Sequence, residues 1–240
     1  MKAMLFSAGL GTRLKEITRE TPKALVEING QTLLQRNLHY LAQWGVDEVV
    51  INVHHFADKI EAHLNEIERP VKTVISDERL NLLETGGGLK KAAQFFSGET
   101  QPIILMNVDI LTNLKLKDML MMHVVKDPLA TLAVLHRDTS RYLLFDEKMK
   151  LSGWENTATG EVKQTRGFGN ILVPYAFSGV HIISPKLLNM LHEWPDKFSL
   201  TDLYLELSED HKIMGFLHDG DKWVDVGKPE SIDVAISLFE

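Results

Sequence analysis

The sequence predicts an α/β protein: a three-layer, Rossmann-like domain with a mostly parallel mixed sheet. Three observations predict it. Short apolar, β-branched runs alternate with i, i+4, i+7 apolar spacings through the first 135 residues. The first run stops at a glycine turn, as strands do where open α/β sheets bind ligands. The 240 residues, 44% apolar and 25% charged, have ordinary globular composition and can bury a sizeable core without a disulfide or zinc staple.

The elements follow in order. Residues 1–6 are an apolar run ending at Ser7-Ala8-Gly9, a strand. Leu34, Leu38 and Leu41 share one helix face, and Gly45 ends that helix. Residues 48–53 (EVVINV) read as a buried strand. Ile60, Leu64 and Ile67 mark a second helix, stopped by Pro70, and 71–75 is a strand. Residues 85–96 form a helix opening on glycines, 103–106 a strand, 114–125 a helix and 129–135 a strand. Such alternation implies βαβ units.

After His136 the texture changes. Residues 142–145 and 151–154 read as a hairpin around 146–150. Residues 155–174, rich in Thr, Gly and Asn, read as a long irregular excursion or lid. Then come a strand at 176–183, helices at 185–191 and 200–208, strands at 213–217 and 222–226, and a closing helix at 229–239 with Pro at its start. With no linker or internal repeat, 1–240 reads as one domain.

Lys and Arg number 26 against 33 Asp and Glu, a net charge of −7. That balance argues against nucleic-acid binding as the main activity and leaves room for a local basic pocket. The absence of cysteine excludes thiol nucleophiles and Cys-ligated zinc and fits a reducing compartment. The apolar run at 3–6 is shorter than the roughly 7–15 residues of a signal peptide, and no run approaches the ~20 of a membrane helix. A cytoplasmic protein with no membrane or nucleic-acid partner is expected, as a monomer or homodimer. The ten histidines show no metal-ligand spacing.

The strongest chemical signal is Ser7-Ala8-Gly9-Leu10-Gly11-Thr12-Arg13-Leu14, followed by Thr21-Pro22-Lys23. Glycines after a strand expose backbone N–H groups to an anion and let phosphate approach closely. Arg13 and Lys23 add positive charge for the same phosphates. The pattern is neither a dinucleotide fingerprint, because Leu14 stands at the third glycine position, nor a Walker A loop, because no Gly-Lys-Ser/Thr follows. Gly-x-Gly alone is equally a tight turn; Thr-Arg-Leu and Thr-Pro-Lys favour phosphate. Asp109 and Asp225 each end a strand, where a lone Asp is commonly a turn or cap residue.

This constellation resembles the sugar-1-phosphate nucleotidyltransferases, or nucleotide-sugar pyrophosphorylases, whose signature is a strand, G-x-G-[ST]-R-[LM], then T-P-K. The resemblance covers nearly the whole chain. Leu83-Glu84-Thr85-Gly86-Gly87-Gly88 matches the family's base-binding loop, and Asn107-Val108-Asp109 its metal strand end. Phe177-Ser178-Gly179-Val180 opens the match to the sugar-contacting strand, and Trp223-Val224-Asp225-Val226-Gly227 matches the late W-x-D-[VI]-G. Within the family, Glu84 before Thr-Gly-Gly-Gly and the compact length are similar to the N-acetylmuramate α-1-phosphate uridylyltransferases. Val108, where that group usually has Gly, is a departure.

The resemblance implies the nucleotide-diphospho-sugar transferase fold and the reaction NTP + sugar 1-phosphate → NDP-sugar + pyrophosphate. It implies a nucleotide-binding half at 1–136 and a sugar-binding half at 137–240. Arg13 and Lys23 would be catalytic, on the leaving and reacting phosphates. Ala8, Gly9, Gly11, Thr12, Glu84, Thr85, Gly86 and Asn107 would bind nucleotide, and Gly153 and Gly179 the sugar. Asp109 and Asp225 would hold Mg²⁺, as hard cations shared with substrate phosphates are held. Trp154 reads first as a hairpin packing residue, and Lys163 and Arg166 as loop charges or partners of a sugar carboxylate. Alternatives of other classes are a dinucleotide-dependent oxidoreductase and a non-catalytic nucleotide-sugar-binding regulator. A mannose- or heptose-1-phosphate guanylyltransferase is the alternative within the class.

Overall fold

A computed structural model describes residues 1–9, 19–167, 169 and 171–239. Gly11, Thr12, Arg13 and Leu14 of the first motif lie outside the described residues, as do Phe168 and Asn170.

The centre is a parallel group of four strands: β1 (Lys2–Phe6), β4 (Glu48–Val53), β5 (Lys72–Asp77) and β6 (Ile103–Asn107), ordered β6-β1-β4-β5. β12 (Val173–Ile183) joins antiparallel to β6 and also pairs with β8 (Ala130–Leu135) and β9 (Arg141–Phe145). β13 (Ile213–Leu217) pairs parallel to β8, and β10 (Leu151–Asn156) and β11 (Glu161–Gln164) extend from β9 as an antiparallel meander. The result is a ten-stranded mixed sheet.

Alternation along β1 explains why both faces are covered. Met4 and Phe6 enter one core with Leu89, Leu187 and Leu203; Ala3 and Leu5 enter the other with Leu34, Leu38, Ile60 and Met119. The first face therefore carries α3 (Glu84–Ala92) and α5 (Leu200–Leu207), and the second α1 (Leu33–Gln43), α2 (Ala57–Glu66) and α4 (Leu116–Lys126). A third cluster, with Val26, Ile28, Leu111, Val224 and Ala235, seats α6 (Glu230–Leu238) beside a small ribbon. That ribbon pairs β7 (Ile110–Thr112) with β14 (Trp223–Asp225).

Two expectations are corrected, and one hairpin is added. The first half of the stretch 155–174 is regular rather than irregular. β10 continues to Asn156, and Asn156 accepts the Gly160 N–H across a turn whose Gly160 has φ +73°. β11 then returns, so the Thr- and Gly-rich composition marks a hairpin. The segment Pro185–Glu193 is 3₁₀ rather than α-helical; Leu187 N–H bonds to Ser184, as i+3 pairing requires. A hairpin also escaped notice: β2 (Glu27–Ile28) and β3 (Gln31–Thr32) turn on Asn29 and Gly30 at φ +50° and +76°, the pairing that Asn-Gly favours.

Candidate active site

A cleft of ≈ 510 Å³ opens at the carboxyl ends of β1, β4 and β6. One wall is Ser7, Ala8 and Gly9; the other is Leu82, Glu84 and Thr85; Asn107, Val108, Asp109 and Lys23 complete the floor. The expected residues Ala8, Gly9, Glu84, Thr85, Asn107, Asp109 and Lys23 thus meet in one place.

The β7–β14 ribbon brings in Asp225. Asp225 stands opposite Ile110, and the Val226 N–H donates to the Asp109 carbonyl at 2.8 Å, which sets the two carboxylates at neighbouring positions. Lys23 forms an ion pair with Asp109. A Cβ at Gly227 would lie 2.6 Å from Asp225 Oδ1 and 3.3 Å from Lys23 Nζ, so glycine ends the motif because the acid and the lysine fill that space. The backbone between is fixed: Val108 N–H donates to Phe6 O at 3.1 Å, and buried Asn37 Nδ2 donates to Val108 O at 2.8 Å.

Among the described residues no three His, Cys, Asp or Glu side chains gather into a closed metal cage. Two hard carboxylates, one of them already holding a lysine cation, do suit Mg²⁺, which takes one or two carboxylates and completes its shell with water and substrate phosphate.

The base-loop glycines have another role. A Cβ at Gly86 would overlap the Phe198 ring and one at Gly87 the Asp196 carbonyl. Both N–H groups donate to Phe198 O, at 2.9 and 3.3 Å, and Thr85 Oγ1 accepts the Leu200 N–H at 3.0 Å. Gly86 therefore sits behind the wall, locking the loop onto residues 198–200, while Glu84 and Thr85 face the cleft. Glu84 has φ +62°, a conformation that favours glycine.

Gly179, with φ +81°, occupies a bulge where the pairing of β12 with β8 shifts register. A Cβ there would lie 2.6 Å from Ile110 Cγ1 and 3.2 Å from Asn107 Nδ2. The bulge frees two carbonyls. Trp223 Nε1 donates to Ser178 O at 2.8 Å, and Arg137 Nη2 to Phe177 O at 3.3 Å. The Arg137 guanidinium lies 4.6 Å from the Trp223 ring centroid. Burial lowers its pKa from the ordinary arginine value, and the Asp225 charge opposes that. Arg137 escaped sequence reading because its partners, Phe177 and Trp223, are remote in the chain.

Other residues are engaged elsewhere. A Cβ at Gly153 would lie 2.5 Å from the Lys163 carbonyl, within the β10–β11 pairing and away from the cleft. Trp154 packs against the core under Lys163 Nζ, 5.5 Å from its ring. Lys163 is 3.6 Å from Asp202, and Arg166 Nη1 donates to Ser208 O at 3.3 Å. Ser178, His218 and Asp221 are spaced like a hydrolase triad: His218 Nε2 is 2.9 Å from Ser178 Oγ, and Nδ1 3.4 Å from Asp221. Ser178 is fully buried and donates to Ala133 O at 3.0 Å, so it is no nucleophile.

The sequence model of the family described as "Nucleotidyl transferase" matches residues 2–145. The N-acetylmuramate alpha-1-phosphate uridylyltransferase of Caulobacter vibrioides is 34% identical over 95% of this chain and 93% of its own. The mannose-1-phosphate guanyltransferase beta-A of Xenopus laevis is 23% identical over all of this chain, which spans 64% of that longer protein. Among solved structures, HddC from Yersinia pseudotuberculosis superposes with a TM-score of 0.77 at 24% identity, covering 100% of this chain and 99% of its own. A UDP-glucose pyrophosphorylase complexed with UDP-glucose gives 0.77 at 16% identity, covering 99% of this chain and 97% of its own. With the ordered motifs converging on one cleft and a family match over most of its length, the chain belongs to the nucleotidyl transferase family and is a sugar-1-phosphate nucleotidyltransferase.

Proposed function

We propose that the chain transfers a uridylyl group from UTP to N-acetylmuramic acid α-1-phosphate, releasing pyrophosphate in the cytoplasm. The observation that carries the substrate reading is the 34% identity to the Caulobacter vibrioides enzyme over nearly the full length of both chains. The loop Leu83-Glu84-Thr85-Gly86-Gly87-Gly88 supports it. Residues 1–136 supply the nucleotide cleft and residues 137–240 the sugar side.

In this reading a sugar phosphate oxygen attacks the α-phosphorus in line. The new P–O bond forms as the bond to the β-phosphate oxygen breaks, and pyrophosphate leaves. No protein nucleophile is needed, so the rate comes from positioning and charge neutralisation. Ala8 and Gly9 on one wall, Glu84 and Thr85 on the other, hold the base between them. Lys23, held on the floor of the cleft by Asp109, serves the α-phosphate, and Arg13 attends the leaving phosphates. Asp109 and Asp225 would hold Mg²⁺, which would supply positive charge to the phosphate oxygens.

The matches to mannose-1-phosphate guanylyltransferases favour a second reading, GTP with a hexose or heptose 1-phosphate. A pyrophosphate-release assay distinguishes the two. UTP and GTP are each paired with muramic, glucose, mannose and heptose 1-phosphates. Preference for UTP with the muramic substrate is expected. A GTP-over-UTP ratio above roughly tenfold, about 1.4 kcal/mol of discrimination, transfers the assignment to the guanylyl reading.

A further inference from the structure

Ser7, Asn52 and Glu78 form a row across the carboxyl ends of three adjacent parallel strands. Ser7 follows β1, Asn52 lies in β4, and Glu78 follows β5. The Ser7 backbone N–H donates to Asn52 Oδ1 at 2.7 Å, and Asn52 Nδ2 donates to Glu78 Oε1 at 2.8 Å. Both side chains are buried, Asn52 at 2% exposure and Glu78 at 1%. The backbone of Glu78 is fixed as well: its N–H donates to Val53 O at 2.7 Å, and His54 Nδ1 lies 2.6 Å from its carbonyl.

The row touches both walls of the cleft. At one end, Ser7 begins the Ser7-Ala8-Gly9 turn. At the other, Glu78 packs against α3, the helix that opens with Glu84 and Thr85. Gly88 of α3 closes over the row from behind; a Cβ there would lie 2.8 Å from Glu78 Oε1 and 3.0 Å from Asn52 Nδ2. The third glycine of the loop is thus explained by the carboxyl it covers.

A buried carboxyl is costly, and apolar packing would be cheaper if stability alone were served. Burial raises the Glu78 pKa, while the hydrogen bond from Asn52 opposes the shift. We infer that Asn52 and Glu78 are positioning residues that fix the spacing between the two walls of the cleft and so set its affinity for the nucleoside triphosphate. Neither makes the chemical step. The inference rests on the cleft being the nucleotide site.

The test uses Asn52→Leu, which keeps the branched shape and removes both hydrogen bonds, with Glu78→Gln as the conservative partner that keeps an acceptor for Asn52. UTP and GTP binding is measured by calorimetry. KM for each substrate and kcat are measured beside it, with melting curves for folded fraction. Asn52→Leu should weaken binding of the preferred nucleotide tenfold or more and raise its KM in step. The sugar phosphate KM should stay within twofold, and Glu78→Gln within threefold of wild type throughout. A merely structural role would lower kcat with the folded fraction and leave KM unchanged. Asn52→Ser, which is too short to bridge Ser7 and Glu78, carries the same expectation should Asn52→Leu fail to fold. Nucleotide KM within twofold of wild type in a folded Asn52 variant, or an equal rise for both substrates, overturns the inference while wild type still binds nucleotide. Wild-type protein that binds neither UTP nor GTP removes the reading of the cleft and the inference with it.

Discussion

Lys23 and Asp109, 86 positions apart in the chain, meet as an ion pair on the floor of the cleft. Their side chains are 14% and 16% exposed, so the pair is largely shielded from solvent. With Asp225 beside them the floor carries one positive and two negative side chains, an arrangement that attracts a further cation.

Replacing Asp109 by Asn should therefore abolish most turnover, with a loss on the order of 10³-fold or more, and leave the fold intact because the site lies at strand ends. Steady-state kinetics with and without EDTA and restored Mg²⁺, beside a thermal melt, checks this. Full activity in EDTA would remove the metal from the proposal.

Lys23→Met should act mainly on kcat. The ammonium serves charge that develops around the α-phosphorus, and an interaction made only in the transition state appears in kcat rather than in ground-state binding. Calorimetric binding of the triphosphate should stay within about threefold while kcat falls roughly 10²-fold or more. A kcat near wild type would leave the lysine as no more than the partner of Asp109.

Gly87→Ala should cost roughly 2–3 kcal/mol of stability, at the upper end for overpacking. The added methyl meets the Asp196 backbone carbonyl, which cannot rotate away as a side chain could. Urea denaturation measures the loss. Because the same loop forms one wall of the cleft, nucleotide binding should weaken in the variant.

Acid should destabilise the protein before its carboxylates titrate. Burial holds the His123 pKa down at about 4 and that of His181 at about 3. His123 Nδ1 lies 2.8 Å from Thr131 Oγ1, and His181 Nδ1 2.9 Å from the Tyr204 hydroxyl. The unfolded chain takes up these protons near pH 6.5 and the folded chain does not, so stability falls as pH drops from 6.5 towards 4. The loss at pH 4 should be on the order of 3 kcal/mol per histidine. Urea titrations at several pH values should show this slope, and His123→Gln should flatten it. An unchanged slope would mean that His123 is protonated in the native state.

Elements whose cause is local were legible in the sequence. Leu34, Leu38 and Leu41 announce α1 by spacing alone, and all three are fully buried. The 185–191 spacing also reads as helical, but apolar periodicity does not distinguish i+3 from i+4 pairing. Asp109 on the floor of the cleft was legible as the end of an apolar run, and Lys23 only through the Thr-Pro-Lys motif that the family resemblance supplied. What stayed hidden depends on cross-strand neighbours. Asn52 reads as one polar residue in a buried strand until β5 brings Glu78 alongside. Gly86 and Gly153 were assigned to ligands through the resemblance alone, and the sequence did not show the close approach of the Phe198 ring and the Lys163 carbonyl to them.

The placement of β12 has a consequence for biosynthesis. Its residues 180–183 pair with 103–106 of β6, and its flanks with β8 and β9. A nascent chain that has emerged only to residue 145 holds the whole span matched by the family model, yet leaves the edge of β6 open where β12 will lie. Unpaired apolar edges invite association with other chains. Translation must therefore deliver the last third of the protein before the first two-thirds can close their sheet, and a fragment cut after β9 should be recovered aggregated rather than as a free-standing nucleotide-binding unit.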